Sequence, residues 1–140
     1  MMRKLIWAFV AALGMANPAV AQEEDMLAAL QDYVGFATYE QGIILPAQID
    51  QSVFEAATFI DTRDIEQFLQ GHIPGATHIE WRELPYRMDE LPDSGLMIFY
   101  CNTGTISSQA MLMARLMGYE NAVVLQTGRN GWLETGAYHP

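Results

Sequence analysis

Apolar runs of four or five residues alternate along this chain with amphipathic stretches, and the clearest example organises the rest. Leu96-Met97-Ile98-Phe99-Tyr100 is a continuous apolar run preceded by Asp93-Ser94-Gly95, the pattern of a strand buried on both faces. A short polar loop, Asn102-Thr103-Gly104-Thr105, follows Cys101. From about Thr105 the residues favour helix through Met117, with Gly118 as the stop. Before this unit, Gly42–Leu45, Ala57–Ile60 and Ala76–Ile79 read as strands. Helical segments are expected at Pro46–Phe54, Asp64–Leu69 and Leu84–Met88. After it, Ala122–Leu125 reads as a buried strand, Thr127–Gly131 as a loop, and Trp132-Leu133 as the start of a last helical turn. Further upstream, Met26, Leu27, Leu30 and Tyr33 recur at helical spacing, so a short amphipathic helix is expected over 23–33. Strands separated by helices predict an α/β fold with a mostly parallel central sheet flanked by helices, and a site outside the carboxyl ends of the strands.

The N-terminal 21 residues have the pattern of a secretory signal peptide. Arg3 and Lys4 precede a short apolar region from Leu5 to about Met15, and Ala19-Val20-Ala21 is a small-residue cleavage site before Gln22. The competing reading is an uncleaved anchor; the run is short for a span and Asn17-Pro18 interrupts it. The expected division is a signal peptide over 1–21, an N-terminal helical extension over 22–42 and one domain over 43–140. The mature protein is expected in the periplasm or secreted, with no stable membrane insertion after cleavage.

Charge narrows the choice of partners. The formal net charge is −10; without Arg3 and Lys4, five basic residues face seventeen acidic ones, giving −12. No lysine would remain, and nucleic-acid binding is not expected without a basic footprint. An anionic substrate would have to be drawn locally against the field of the whole chain.

Cys101 is the only cysteine. A lone cysteine ending an apolar strand often simply packs. Here it would also face loop N–H groups and a helix N-terminus, both of which favour a thiolate and lower its pKa. In an oxidising compartment, an unpaired thiol is either hidden or used.

Two separate stretches resemble the rhodanese family. Phe59-Ile60-Asp61-Thr62-Arg63, Phe68 and Gly71-His72-Ile73-Pro74-Gly75-Ala76 are similar to that family's opening motif. Cys101-Asn102-Thr103-Gly104-Thr105-Ile106-Ser107 resembles its active-site loop, and Leu125-x-Thr127-Gly128-x-x-x-Trp132 its closing pattern. The resemblance covers roughly residues 43–140. It implies a rhodanese-like α/β fold and transfer of sulfur from a small anionic donor such as thiosulfate to a thiophilic acceptor. Cys101 would be the nucleophile and carry the sulfur as a persulfide. Loop residues Asn102, Thr103, Gly104, Thr105, Ile106 and Ser107 would bind substrate, and no metal or organic cofactor is needed. Asp61, Arg63, Gly71, His72, Pro74 and Gly75 would be structural, although Asp61 and Arg63 could also serve the site. Arg129 is the first candidate to attract an anionic donor and Arg82 the second, each weighed against a solvated surface charge. Met111, Met113 and Met117 read as core rather than as metal ligands. Two positions depart from the family's pattern: Ile106, where many members carry a polar or basic residue, and Thr127, in place of the first closing glycine.

Three functions are compatible with this fold. The first is a sulfurtransferase. The second is a catalytically weak module acting as a persulfide carrier, redox sensor or partner-docking domain, with no particular protein partner indicated. The third is a phosphatase or arsenate reductase, but its loop needs an arginine to hold the oxyanion, and there is none from Cys101 to Gln109.

Overall fold

The computed structural model describes residues 18–35 and 37–140. The expected basic and apolar regions of a leader lie outside the described residues. Ala19 to Ala21 lie at the start of the first helix, α1, which runs over Pro18–Gly35. This helix is longer than the amphipathic pattern suggested. Met26, Leu27 and Leu30 are exposed; the half-buried residues are Ala29 and Tyr33, four apart on the side that meets the later helix α4. Among the described residues, no helix is long and apolar enough to cross a membrane.

Five strands form one all-parallel sheet: β1 (Ile43–Ile44), β2 (Thr58–Asp61), β3 (Thr77–His78), β4 (Met97–Tyr100) and β5 (Ala122–Leu125). Their order is β1-β5-β4-β2-β3. The uninterrupted apolar run of β4 follows from this order, because the central strand is covered on both faces and all four of its residues are fully buried. Its alternate side chains feed two cores. Met97 and Phe99 join Ile60, Ala110, Met111, Ala114 and Ala122 under α4 (Thr105–Leu116). Ile98 and Tyr100 join Ile49, Phe59, Ile73, Leu125 and Trp132 on the opposite face. That face is covered by α2 (Gln51–Ala56) and α5 (Gly128–Thr135), while α3 (Ile65–Gln70) follows β2.

Several boundaries differ from the sequence pattern, each for a local reason. The segment from Pro46 to Phe54 is not one helix. A 3₁₀ turn at Pro46–Gln48 stops at Ile49, which is fully buried, and Asp50 then caps α2 by accepting from the Val53 N–H at 2.9 Å. Leu84–Met88 becomes two 3₁₀ turns divided at Arg87, whose guanidinium pairs with Glu83 and Glu90. Residues 127–131 are not a loop. Gln126 and Thr127 make the turn, Thr127 with φ of 64°, and α5 begins at Gly128. Met117 is 67% exposed rather than part of the core.

Candidate active site

The site forms where β4 ends and α4 begins. The Cys101–Gly104 turn folds back so that the Gly104 N–H donates to Cys101 Sγ at 3.2 Å and the Ser107 hydroxyl lies 3.5 Å from it. Gly104 has φ of 94°, which favours glycine, and a Cβ there would make a tight contact of 3.2 Å with the Leu125 carbonyl oxygen. Burial pushes the Cys101 thiol up. The Ser107 hydroxyl, with the amides of Ser107, Thr103 and Ile106, outweighs it, and the net effect holds the thiol below the ordinary cysteine range. Cys101 is only 3% exposed, yet it lines a cleft of about 520 Å³. Asn102, Thr103, Thr105 and Ile106 share that lining. A larger hollow of about 590 Å³ lies between α1 and α4, among Ala29, Tyr33, Arg115 and their neighbours; it does not include Cys101.

Two layers hold the loop from behind. Asp61, fully buried, accepts from Arg63 Nε at 2.9 Å and pairs with its Nη2 at 2.5 Å. The remaining donors of Arg63 reach Asn102 Oδ1 at 3.1 Å and the Gly71 carbonyl at 2.8 Å. Asn102 in turn donates to Gln67 Oε1 at 2.5 Å. A planar guanidinium thus ties the end of β2, the segment after α3 and the cysteine loop together. The second layer is the start of α5. Arg129 N–H donates to the Cys101 carbonyl at 2.8 Å and Asn130 N–H to that of Asn102 at 3.1 Å. A Cβ on Gly128 would lie 2.6 Å from those same backbone groups.

The remaining motif residues shape the neighbouring turn. Pro74 and Gly75, the latter with φ of 81°, occupy the two central positions of a turn closed by Ala76 N–H to the Ile73 carbonyl at 3.0 Å. His72 stacks on Phe68 at 4.0 Å, its Nδ1 3.0 Å from the Phe68 carbonyl. The Tyr100 hydroxyl accepts from Ile73 N–H at 3.0 Å.

The two candidate arginines separate. Arg82 lines the Cys101 cleft, with its side chain 68% exposed and its Nε 2.5 Å from Glu80 Oε1. Arg129 does not line that cleft; it opens into an adjoining hollow of about 290 Å³. Besides Thr62, Arg63 and Glu80, the Cys101 cleft is lined by Trp81, Gln67 and Asp64. Sequence reasoning passed over all three, because the packing of β2 against β3 and of α3 against the loop brings them there. The only local signal was the Asp64–Gln67 spacing, which proves to be a helix cap with the Gln67 N–H donating to Asp64 Oδ1 at 2.8 Å.

A parallel α/β sheet with a lone cysteine in a cradle of loop amides, at the carboxyl end of its central strand, defines the class of this protein: a single α/β domain built around a cysteine loop. The rhodanese-like domain family matches residues 45–135, and the chain belongs to that family. It is 36% identical over 90 residues to the thiosulfate sulfurtransferase PspE of Escherichia coli, covering 60% of this chain and 86% of that one. It is 28% identical over 78 residues to YrkF of Bacillus subtilis, a protein named as a sulfur carrier; the match covers 56% of this chain but only 42% of the length of that relative. Among solved structures, a rhodanese-related protein of Thermoplasma volcanium superposes with a TM-score of 0.62 at 25% identity, covering 69% of this chain and 93% of that one.

Proposed function

We propose that this protein is a sulfurtransferase working through a Cys101 persulfide. The observation that carries the reading is the Cys101 sulfur at the floor of an open cleft, its pKa lowered by the Ser107 hydroxyl and loop amides. In the first step the thiolate attacks the outer sulfur of a donor such as thiosulfate. The new bond is Sγ–S; the bond to the sulfonate sulfur breaks, and sulfite leaves with the electron pair. In the second step a thiophilic acceptor takes the outer sulfur and Sγ recovers its thiolate. The amide cradle stabilises negative charge on either sulfur. The activity of the thiosulfate sulfurtransferase relative supports this choice of donor.

A second reading is a catalytically weak persulfide carrier. It is favoured by the apolar Ile106 at the cleft, 38% exposed, and by the sulfur-carrier name of one relative. Intact mass decides between them. Thiosulfate should add one sulfur atom to the protein and cyanide should remove it repeatedly, with both steps abolished in Cys101→Ser. A protein that takes up sulfur once but does not turn over is a carrier, and one whose mass never changes is neither.

The same proposal places the mature protein outside the cytoplasm, beginning at Gln22, with 22–42 as an extension to a domain over 43–140. N-terminal sequencing of the exported protein tests it; retention of Met1 to Ala21 in a membrane fraction overturns it.

A further inference from the structure

Asn102 follows Cys101 directly, and its side chain is held from two sides. Arg63 Nη1 donates to its Oδ1 at 3.1 Å, and its own Nδ2 donates to Gln67 Oε1 at 2.5 Å. Gln67 is held in turn by Asp64. Its Nε2 donates to Asp64 Oδ2 at 2.5 Å and its backbone N–H to Asp64 Oδ1 at 2.8 Å. These bonds form a relay with a direction. A carboxylate, which only accepts, stands at one end. A guanidinium, which only donates, stands at the other and is neutralised by Asp61. The Asp64 carboxylate draws the NH2 end of Gln67 and leaves its carbonyl for Asn102. That carbonyl draws the NH2 end of Asn102 and leaves Oδ1 for Arg63. Turning either amide over sets acceptor against acceptor at one contact and donor against donor at the next.

A helix cap needs only part of this. One Asp64 oxygen satisfies the Gln67 N–H at the start of α3. The second oxygen, and the reach of Gln67 to a residue thirty-five positions away, lie beyond the cap. The far end of the relay is the residue on which the cysteine loop turns. The Asn102 carbonyl accepts from Asn130 N–H at 3.1 Å, so main chain and side chain are both fixed just before the amides of Thr103 and Gly104. The Gly104 N–H donates to Sγ at 3.2 Å. Among the described residues, the hydrogen-bond partners of Sγ are the Ser107 hydroxyl and loop amides; the side chains of Asp64, Gln67 and Asn102 are not among them.

We propose that Asp64 and Gln67 are positioning residues for the Cys101 thiolate: the carboxylate sets the direction of the Gln67 and Asn102 amides, and these hold the turn whose N–H groups face the sulfur. For its effect on sulfur transfer the proposal rests on the reading that Cys101 carries the sulfur. The state of the thiolate does not depend on that reading.

Charge by itself makes the opposite prediction at Asp64. The charged side chains that share the cleft with Cys101 are Arg63, Asp64, Glu80 and Arg82. The α4 residues in that lining, Thr105 and Ile106, are uncharged, and Arg129 of α5 opens into the adjoining hollow. Within this set Asp64 disfavours a thiolate, so neutralising it lowers the thiol's pKa if charge is all it contributes. The relay gives the other sign. Asparagine has one oxygen where two are used; spent on the Gln67 N–H as a cap, it turns its NH2 toward the NH2 of Gln67.

The test follows alkylation of Cys101 by iodoacetamide across the titration of the thiol, in protein shown to be folded by circular dichroism. Gln67→Met, neutral for neutral, should raise the midpoint and slow alkylation about threefold at neutral pH, the effect of about half a pKa unit on the thiolate fraction. Asp64→Asn retains a capping residue and should move the midpoint the same way. Asp64→Asn/Gln67→Glu restores the direction: the asparagine NH2 donates to one glutamate oxygen, and the other accepts from Asn102. It should alkylate faster at neutral pH than Asp64→Asn, although it carries a carboxylate which that variant lacks. A midpoint lowered or unmoved in Asp64→Asn overturns the proposal, as does a Gln67→Met profile equal to wild type or a double variant no faster than Asp64→Asn. If the midpoints move as expected but thiosulfate never loads Cys101, the transfer reading fails and the positioning stands. If Cys101 loads and turns over while the midpoints stay in place, the positioning fails and the transfer reading stands.

Discussion

At the scale of single residues, the lowered pKa of the Cys101 thiol rests on a small number of donors. Ser107 is fully buried and supplies the largest of the interactions that lower the thiol's pKa. Ser107→Ala should therefore raise that pKa and slow alkylation by iodoacetamide several-fold at neutral pH, with little effect at high pH where the thiol is ionised in either protein. An unchanged pH–rate profile would show that the amides suffice. The same shift has a stability consequence. The native pKa lies below the unfolded one, so the thiolate's contribution is present above the ordinary cysteine pKa of about 8.5 and fades as pH falls through the lower native value. The stability difference between wild type and Cys101→Ser, measured by urea unfolding, should accordingly grow from acid to mildly alkaline pH. The loop's position after β4 was legible in the apolar run and the glycine, since backbone amides follow from chain direction alone. The placement of Arg129 was not. It depends on a turn made by Thr127 in a conformation that threonine seldom adopts, and nothing in the local pattern announces that.

At the scale of elements, α5 both closes the core and supports the loop. Trp132 is 4% exposed and packs with Phe59, Ile98, Tyr100 and Leu125, with Phe54 stacked 6.2 Å away. Trp132→Ala should cost about 3–5 kcal/mol, read from the urea midpoint. Gly128→Ala should act on function as well as stability, because its Cβ would fall 2.6 Å from the carbonyls that receive the α5 amides. Its expected signature is a slower, less pH-shifted alkylation of Cys101 in protein that is still folded. The strands were readable in sequence because most lie in short apolar runs bounded by turn residues, and β3, itself Thr77–His78, is flanked by Ala76 and Ile79. The helical pieces over 46–56 and 84–90 were less so. A buried Ile49 and a capping Asp50 interrupt the first, and ion pairs converging on Arg87 accompany the break in the second, so tertiary and side-chain contacts override a local period.

For the molecule as a whole, charge and strand order matter most. With a formal charge of −10, the protein repels a dianion, and the arginine beside the cleft opening is already paired with Glu80. Raising ionic strength from about 10 to about 150 mM shortens the screening length from about 30 to about 8 Å. The KM for thiosulfate should therefore fall over that range, and Ile106→Arg should lower it at low salt and flatten the dependence. A KM independent of salt in both proteins would show that charge does not limit donor entry. The sheet order carries a further consequence. β1, the first strand made, pairs only with β5, the last, and the cysteine loop receives its rear hydrogen bonds from residues 129 and 130. A chain emerging vectorially from a ribosome or a translocation pore therefore cannot seat β1 or complete the rear support of the cysteine loop until residues 122–130 are through. The groups that lower the Cys101 pKa, in residues 103–107, follow the thiol directly, whereas the rear support of its loop arrives only with residues 129 and 130.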